Sequence, residues 1–366
     1  MPEDVFSPVA LGDISAGNRL VMCPMTRRRA DADGTPNDLM REYYRQRASA
    51  GLIVTESVHP SLIGKAYSGS PHLITGRDLA AWARVVEAVH GRGGRIVLQL
   101  MHAGSAAQPA VNGGRTPLAP SAVGPRETGA PDGPVTDRPV PRAMTGGEID
   151  ATVEEFAHAA AMAVEAGFDG VEIHAGNSYL LHQFLGSGTN LRTDAFGGTA
   201  ENRCLFPVRV VEAVAGEVGH GRVGLKLSPG FSADRTVRGD GLDVYSALLS
   251  HPSVQRLAYL HTSSSSDRDV LAWIRAHRTG GWIHNLGADL ELSSSELLSG
   301  IEAELGAGPS AVSLGRLFIS NPDLPERLLH RAPVAVPNPK NFYQGESEGY
   351  TDHERWTDTN RQPIHT

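Results

Sequence analysis

Short apolar runs alternate with amphipathic stretches along almost the whole chain. Residues 19–23, 52–55, 95–100 and 170–174 read as strands, followed by 223–227, 257–261, 281–284 and 310–314. Helical periodicity is expected between them, over 37–50, 78–90, 151–165, 201–217, 241–249, 268–278 and 290–298. Thr145 and Glu148, three residues apart, have the spacing of a capping box ahead of the third of these helices, and Gly167 supplies its stop. Strands joined through helices rather than tight turns pair in parallel with right-handed crossovers. Eight such units predict a closed (β/α)₈ TIM barrel, an α/β fold. Residues 1–18 are expected to carry a small hairpin across its floor. Residues 101–145 are rich in Pro and Gly, lack helical period and start directly after the third strand. They are expected to cap the carboxyl face, where barrel active sites lie. A C-terminal extension over 335–366 completes a single predicted domain spanning 1–366.

Composition narrows the function without choosing it. Of 366 residues, 40% are apolar, enough for one large core. A net charge of −8, with no basic run interleaved with aromatics, argues against nucleic acid as partner. Cys23 and Cys204 are the only cysteines, which disfavours a disulfide scaffold or a thiolate metal site. No apolar run reaches membrane-spanning length and the first residues do not resemble a signal peptide, so a cytoplasmic protein is expected.

Polar chemistry gathers where the strands stop. The third strand reads IVLQLMH with Gln99 and His102, and the fourth reads VEIHAGNSYLLHQF with Glu172, His174, Asn177 and Tyr179. Lys226 sits inside the apolar fifth strand, and His261 ends the sixth. One such residue is usually a satisfied structural group; a polar residue at the end of most strands is harder to read that way. His174 and Asn177 could both donate to one oxygen on which negative charge develops, and Tyr179 could deliver a proton. A metal site at His174 and Asn177 is the weaker reading, for want of a clear third ligand. Gly287 and Gly315 follow the last two strands, where barrels often seat a phosphate, and Arg316 adds charge.

Longer segments carry a resemblance to a known family. NRLVMCPMTRRRA, from residue 18, pairs with VEIHAGNSYLLHQFL from 171, NLRTDAFGGTAENR from 190, SLGRLFISNPDL from 313 and FYQGESEGYTD from 342. In these segments the chain resembles the Old Yellow Enzyme family of ene reductases. The resemblance implies a non-covalent FMN, NADPH or NADH as reductant, and small electrophilic alkenes (enones, enals, maleimides, nitroalkenes) as substrates, in a monomer or homodimer. Pro24, Met25, Thr26, Ser57, Gln99 and Lys226 would contact the flavin, and Gly287, Ala288, Gly315 and Arg316 its phosphate. His174 and Asn177 would bind the activating oxygen, with Tyr179 as proton donor. Thr26, Tyr67 and Tyr350 would shape the substrate cavity and part of its roof. The chain departs from the family pattern in having Lys226 for a usual arginine, Met101 for a common tryptophan and Ser105 for a common arginine. It also has His284–Asn285 where an apolar residue and a glycine are usual. Lys226 further suggests a Schiff-base aldolase as an alternative, and the departures admit a non-catalytic flavin-binding protein.

Overall fold

The computed structural model describes residues 4–124, 139–231, 240–264, 267–287 and 292–357. Strands β1 (Val9–Leu11) and β2 (Ile14–Ala16) form an antiparallel hairpin ahead of β3 (Leu20–Met22). Helix α1 (Asp38–Gln46), β4 (Leu52–Val58), α2 (Gly76–His90) and β5 (Ile96–Leu100) follow. In the excursion after β5, the short β6 (Leu118–Ala119) and β7 (Arg142–Ala143) pair with each other. Then come α3 (Gly146–Glu165), β8 (Gly170–Ala175), α4 (Leu180–Leu185), α5 (Ala200–Val218) and β9 (Val223–Leu227). The chain continues through α6 (Gly241–Ser250), α7 (Pro252–Gln255), β10 (Tyr259–Thr262), α8 (Arg268–His277) and β11 (Gly281–Asn285). It ends with α9 (Ser294–Gly306), β12 (Ala311–Leu314), α10 (Arg316–Ser320) and α11 (Leu324–Leu329).

Eight parallel strands close into a barrel in the order β3-β4-β5-β8-β9-β10-β11-β12, with β12 returning to β3. This is the (β/α)₈ fold expected from the periodicity. The hairpin seals the amino end: Leu11, Ile14 and Ala16 pack with Leu52, Val54, Val97, Ile283 and Ala311 from the starts of the strands. A larger cluster lies between barrel and helices, where Trp82, Phe156, Phe184, Phe206 and Phe318 are wholly buried. No helix of the described residues is long and apolar enough to cross a membrane.

Two of the expected helices depart from the sequence expectation, and α4, α7, α10 and α11 have no counterpart in it. The helix expected over 290–298 instead spans Ser294–Gly306, because Ser293 caps it and Glu296 completes a capping box. The first helix ends at Gln46, four residues early, with Arg47 as its C-cap. The Thr145–Glu148 capping box forms as anticipated. Beyond α11, the chain returns along the carboxyl face, where Arg27 and Arg29 bind its backbone. Arg27 is fully buried and donates to the carbonyls of Phe342 and Gly349 at 2.9 and 2.7 Å. Arg29 donates to those of Phe342 and Asn341 at 2.9 and 3.0 Å.

Candidate active site

Parallel strands put all their carboxyl ends on one face. There β4 brings Ser57, β5 Gln99, β8 Glu172 and His174, β9 Lys226 and β10 His261. Register aligns Ser57 with Gln99 and Gln99 with Glu172, and one layer up it aligns His174 with Lys226 and Lys226 with His261. Side chains two apart on a strand share a face, so Glu172 and His174 point the same way.

These ends open on a cavity of about 360 Å³ lined by Pro24, Met25, Thr26, Ser57, Tyr67, Gln99, His174, Asn177, Tyr179, Lys226 and Arg316. A second cavity of about 380 Å³ shares Met25 and Arg316 with it and adds Cys23, Ser264, Asn285, Gly287, Gly315 and Leu317. The first, lined largely by polar side chains, suits a polar organic group. The second, with glycine backbone and an arginine, suits an anionic group.

The wall behind the first cavity is a continuous hydrogen-bonded chain. Ser57 Oγ donates to Gln99 Oε1 at 2.6 Å, and Gln99 Nε2 donates to Glu172 Oε1 at 2.8 Å. Glu172 Oε2 lies 2.8 Å from His261 Nδ1. His261 Nε2 in turn lies 3.1 Å from Lys226 Nζ and 2.8 Å from Ser313 Oγ. Burial alone would raise the Glu172 carboxyl, but His261, then Lys226 and Gln99, outweigh it and bring it down to about 2. An ionised Glu172 only accepts hydrogen bonds, so it orients the Gln99 amide.

His174, Asn177 and Tyr179 are set by the turn after β8. Asn177 and Ser178 both adopt left-handed backbone, with φ of 51° and 62°. That conformation costs on the order of 1 kcal/mol per non-glycine residue and requires external support. Support comes from Asn177 N donating to Ser228 Oγ at 2.6 Å, Ser178 N to His182 Nδ1 at 2.9 Å, and Gln183 Nε2 to the Ser178 carbonyl at 2.6 Å. The His174 ring meets the Tyr179 ring edge-on at 5.4 Å, and the Tyr179 and Tyr67 hydroxyls are 3.3 Å apart. His174 Nδ1 is buried with no hydrogen-bond partner in the protein. Burial first, then the Lys226 charge, lowers His174 to about 3, so it is neutral near pH 7.

Most residues singled out from the sequence therefore meet at these two cavities. Gly287, Gly315 and Arg316 line the second, with Gly287 at a positive φ of 57°. Ala288 lies outside the described residues. Tyr350 is a correction: it does not reach the cavity, being fully buried and stacked on Tyr43 at 4.1 Å, with Arg27 and Arg29 over its ring. Phe342 and Tyr343, eight and seven residues earlier, stand at the cavity instead, together with Ile319. Sequence reasoning passed over Phe342 and Tyr343 because nothing local tells which aromatic of a C-terminal extension turns inward. Met101 packs with Ala66, Tyr67 and Ala103 behind the cavity, and Ser105 N donates to Gln183 Oε1 at 3.0 Å.

Residues 4–334 match the NADH:flavin oxidoreductase / NADH oxidase family. A probable flavin mononucleotide-dependent alkene reductase of Leishmania infantum is 35% identical, over 95% of this chain and 96% of its own. Morphinone reductase, solved in complex with tetrahydroNAD, superposes with a TM-score of 0.89 at 38% identity, covering 98% of this chain and 99% of that one. The Old Yellow Enzyme from Trypanosoma cruzi gives a TM-score of 0.89 at 31% identity, over 97% of this chain and all of its own. The chain thus belongs to the NADH:flavin oxidoreductase / NADH oxidase family and, within it, is an FMN-dependent, NAD(P)H-using oxidoreductase of the Old Yellow Enzyme group.

Proposed function

We propose that this chain reduces the C=C bond of activated alkenes, with enones, enals, maleimides and nitroalkenes as the substrate class. The observation that carries this reading is the convergence of His174, Asn177 and Tyr179 on one cavity, with a neutral, buried His174 whose Nδ1 finds no protein partner. An unpartnered buried polar atom is costly, which supports a ligand oxygen as its intended partner.

The residues present fit FMN. Pro24, Met25, Thr26, Ser57, Gln99 and Lys226 would hold its ring system in the first cavity, and Gly287, Gly315 and Arg316 its phosphate in the second. Ala288, which the resemblance adds to the phosphate set, belongs to the same proposal. When bound, FMN supplies a carrier that accepts hydride from the nicotinamide and gives it to the alkene. His174 and Asn177 hold the activating oxygen and stabilise the negative charge that grows there. Tyr179 donates the proton to carbon. Nicotinamide and alkene occupy the same cavity in turn, so the kinetics are ping-pong. The hydrogen bond from Lys226 Nζ to His261 favours a cation facing the cofactor over a Schiff-base nucleophile.

Anaerobic mixing with NADPH or NADH is expected to bleach the bound flavin, and cyclohexenone or a maleimide to restore its colour. A flavin that is reduced but never reoxidised by any activated alkene sinks the proposal.

A further inference from the structure

Lys226 and His261 are two basic groups whose nitrogens lie 3.1 Å apart. Two cations cannot share an N–H···N hydrogen bond, because one nitrogen must accept. At that separation the pair therefore holds one proton between Nζ and Nε2, besides the proton on His261 Nδ1 that faces Glu172 at 2.8 Å. Both members are buried, and Lys226 lines the first cavity. With Glu172 ionised, the three groups sum to no net charge. The shared proton is thus poised beside a site whose reduction adds negative charge.

We infer that His261 is a positioning residue that tunes Lys226, and that the Lys226–His261 pair takes up one solvent proton when the cofactor in this site is reduced. This rests on FMN occupying the first cavity against Lys226. The balance is simple. The cofactor gains a hydride, two electrons and one proton, from the nicotinamide. The pair gains a second proton from water, so that Lys226 and His261 are then both charged, against Glu172 and the new negative charge.

Several other groups bear on His261. Burial and then the Lys226 charge oppose its protonation, but Glu172 from β8, with Cys23, outweighs them and raises it above its ordinary value. Cys23 Sγ lies 3.8 Å from Lys226 Nζ and lines the second cavity. Burial alone would raise this thiol, but Lys226 and then His261 bring it below its ordinary value. His174 and His284 feel both basic groups and are held neutral, His284 at about 4, chiefly by burial. Ser313 Oγ, which accepts from Asn285 Nδ2 at 3.1 Å, lets the His261 ring stay in place in either protonation state.

The test is the pH dependence of the FMN midpoint potential in the holoenzyme, measured spectroscopically between about pH 6 and 9. The wild-type slope is expected to be about twice that of His261→Gln, which keeps a polar atom near Nε2 but binds no proton. Lys226→Arg, always charged, leaves His261 as the proton acceptor and is expected to keep the wild-type slope. FMN affinity, followed by fluorescence quenching, serves as a separate readout. A wild-type slope of only one proton per two electrons would overturn the inference even if His261→Gln failed to fold. A wild-type protein that retains no FMN would instead refute the cofactor assignment for this cavity.

Discussion

Tyr179 and His174 divide the proposed chemistry between proton delivery and charge stabilisation, and substitutions separate the two. Tyr179→Phe removes the hydroxyl that lies 3.3 Å from Tyr67 and keeps the ring against His174. Reduction of alkene is expected to slow by about 10²-fold, the usual worth of a positioned general acid, while flavin reduction by nicotinamide stays near the wild-type rate. Equal losses in both half-reactions, resolved by stopped flow, would exclude the donor role. His174→Ala removes one donor to the activating oxygen, so phenolic or enone ligands should bind about tenfold more weakly, read from their charge-transfer band. Because burial holds His174 near 3, wild-type affinity for a neutral enone should stay flat between about pH 5 and 8. A titration step near 6.5 in that binding curve would show that His174 is not held neutral. These residues were legible because polar side chains at barrel strand ends interrupt apolar runs. The Lys226–His261–Glu172 contact was not. Strand periodicity gives each residue's facing but not which inward side chains from β8, β9 and β10 reach one another.

At the scale of elements, the eight strands and most helices followed from periodicity and capping alone. The misplaced α9 shows the limit: Leu290, Leu292, Leu297 and Leu298 give an apolar signal on both sides of its true start. Only the Ser293–Glu296 box fixes where hydrogen bonding begins. The segment from Asn341 to Tyr350 escaped for a different reason. It has little regular structure, and its place is dictated by buried arginines more than 300 residues earlier in the chain. Arg27 offers its guanidinium to the Phe342, Asn341 and Gly349 carbonyls and to the Tyr43 hydroxyl. Arg27→Ala would strip the buried Gly349 carbonyl and Tyr43 hydroxyl of this donor and leave the Phe342 and Asn341 carbonyls to Arg29 alone, costing about 3 kcal/mol. It should also release Phe342 and Tyr343 from the cavity wall, raising KM for the alkene. Urea unfolding and steady-state kinetics check both halves, and an unchanged KM in a measurably destabilised variant would mean that the arginine clamp does not shape the site.

Across the whole molecule, the barrel concentrates histidines where water is excluded, and this makes the fold acid-sensitive in a predictable direction. His59, His102 and His174 are lowered to about 3, 4 and 3, with burial the leading cause in each. In the unfolded chain each would titrate near 6.5. Between the two values the unfolded state binds protons that the native state refuses. Stability therefore rises with pH through this window: it is fully present above about 6.5 and lost as the pH falls toward 4. Glu172 and Asp78, both held near 2, extend the loss below about 4.5, since their native forms resist protonation as well. With His284, held at about 4, four histidines act together and give a slope of up to about 5 kcal/mol per pH unit near pH 5. Urea midpoints for the holoenzyme should accordingly drop steeply from pH 7 to pH 5. His102→Asn should flatten that drop by about one quarter without touching His174 or Glu172. An identical pH profile in the variant would mean that water reaches His102 Nε2, which lies buried without a protein partner. The same exclusion of water keeps His174 neutral beneath the cavity, while His261 and Lys226 keep Glu172 ionised against it, so acid tolerance and a prepared active site pull against each other in this barrel.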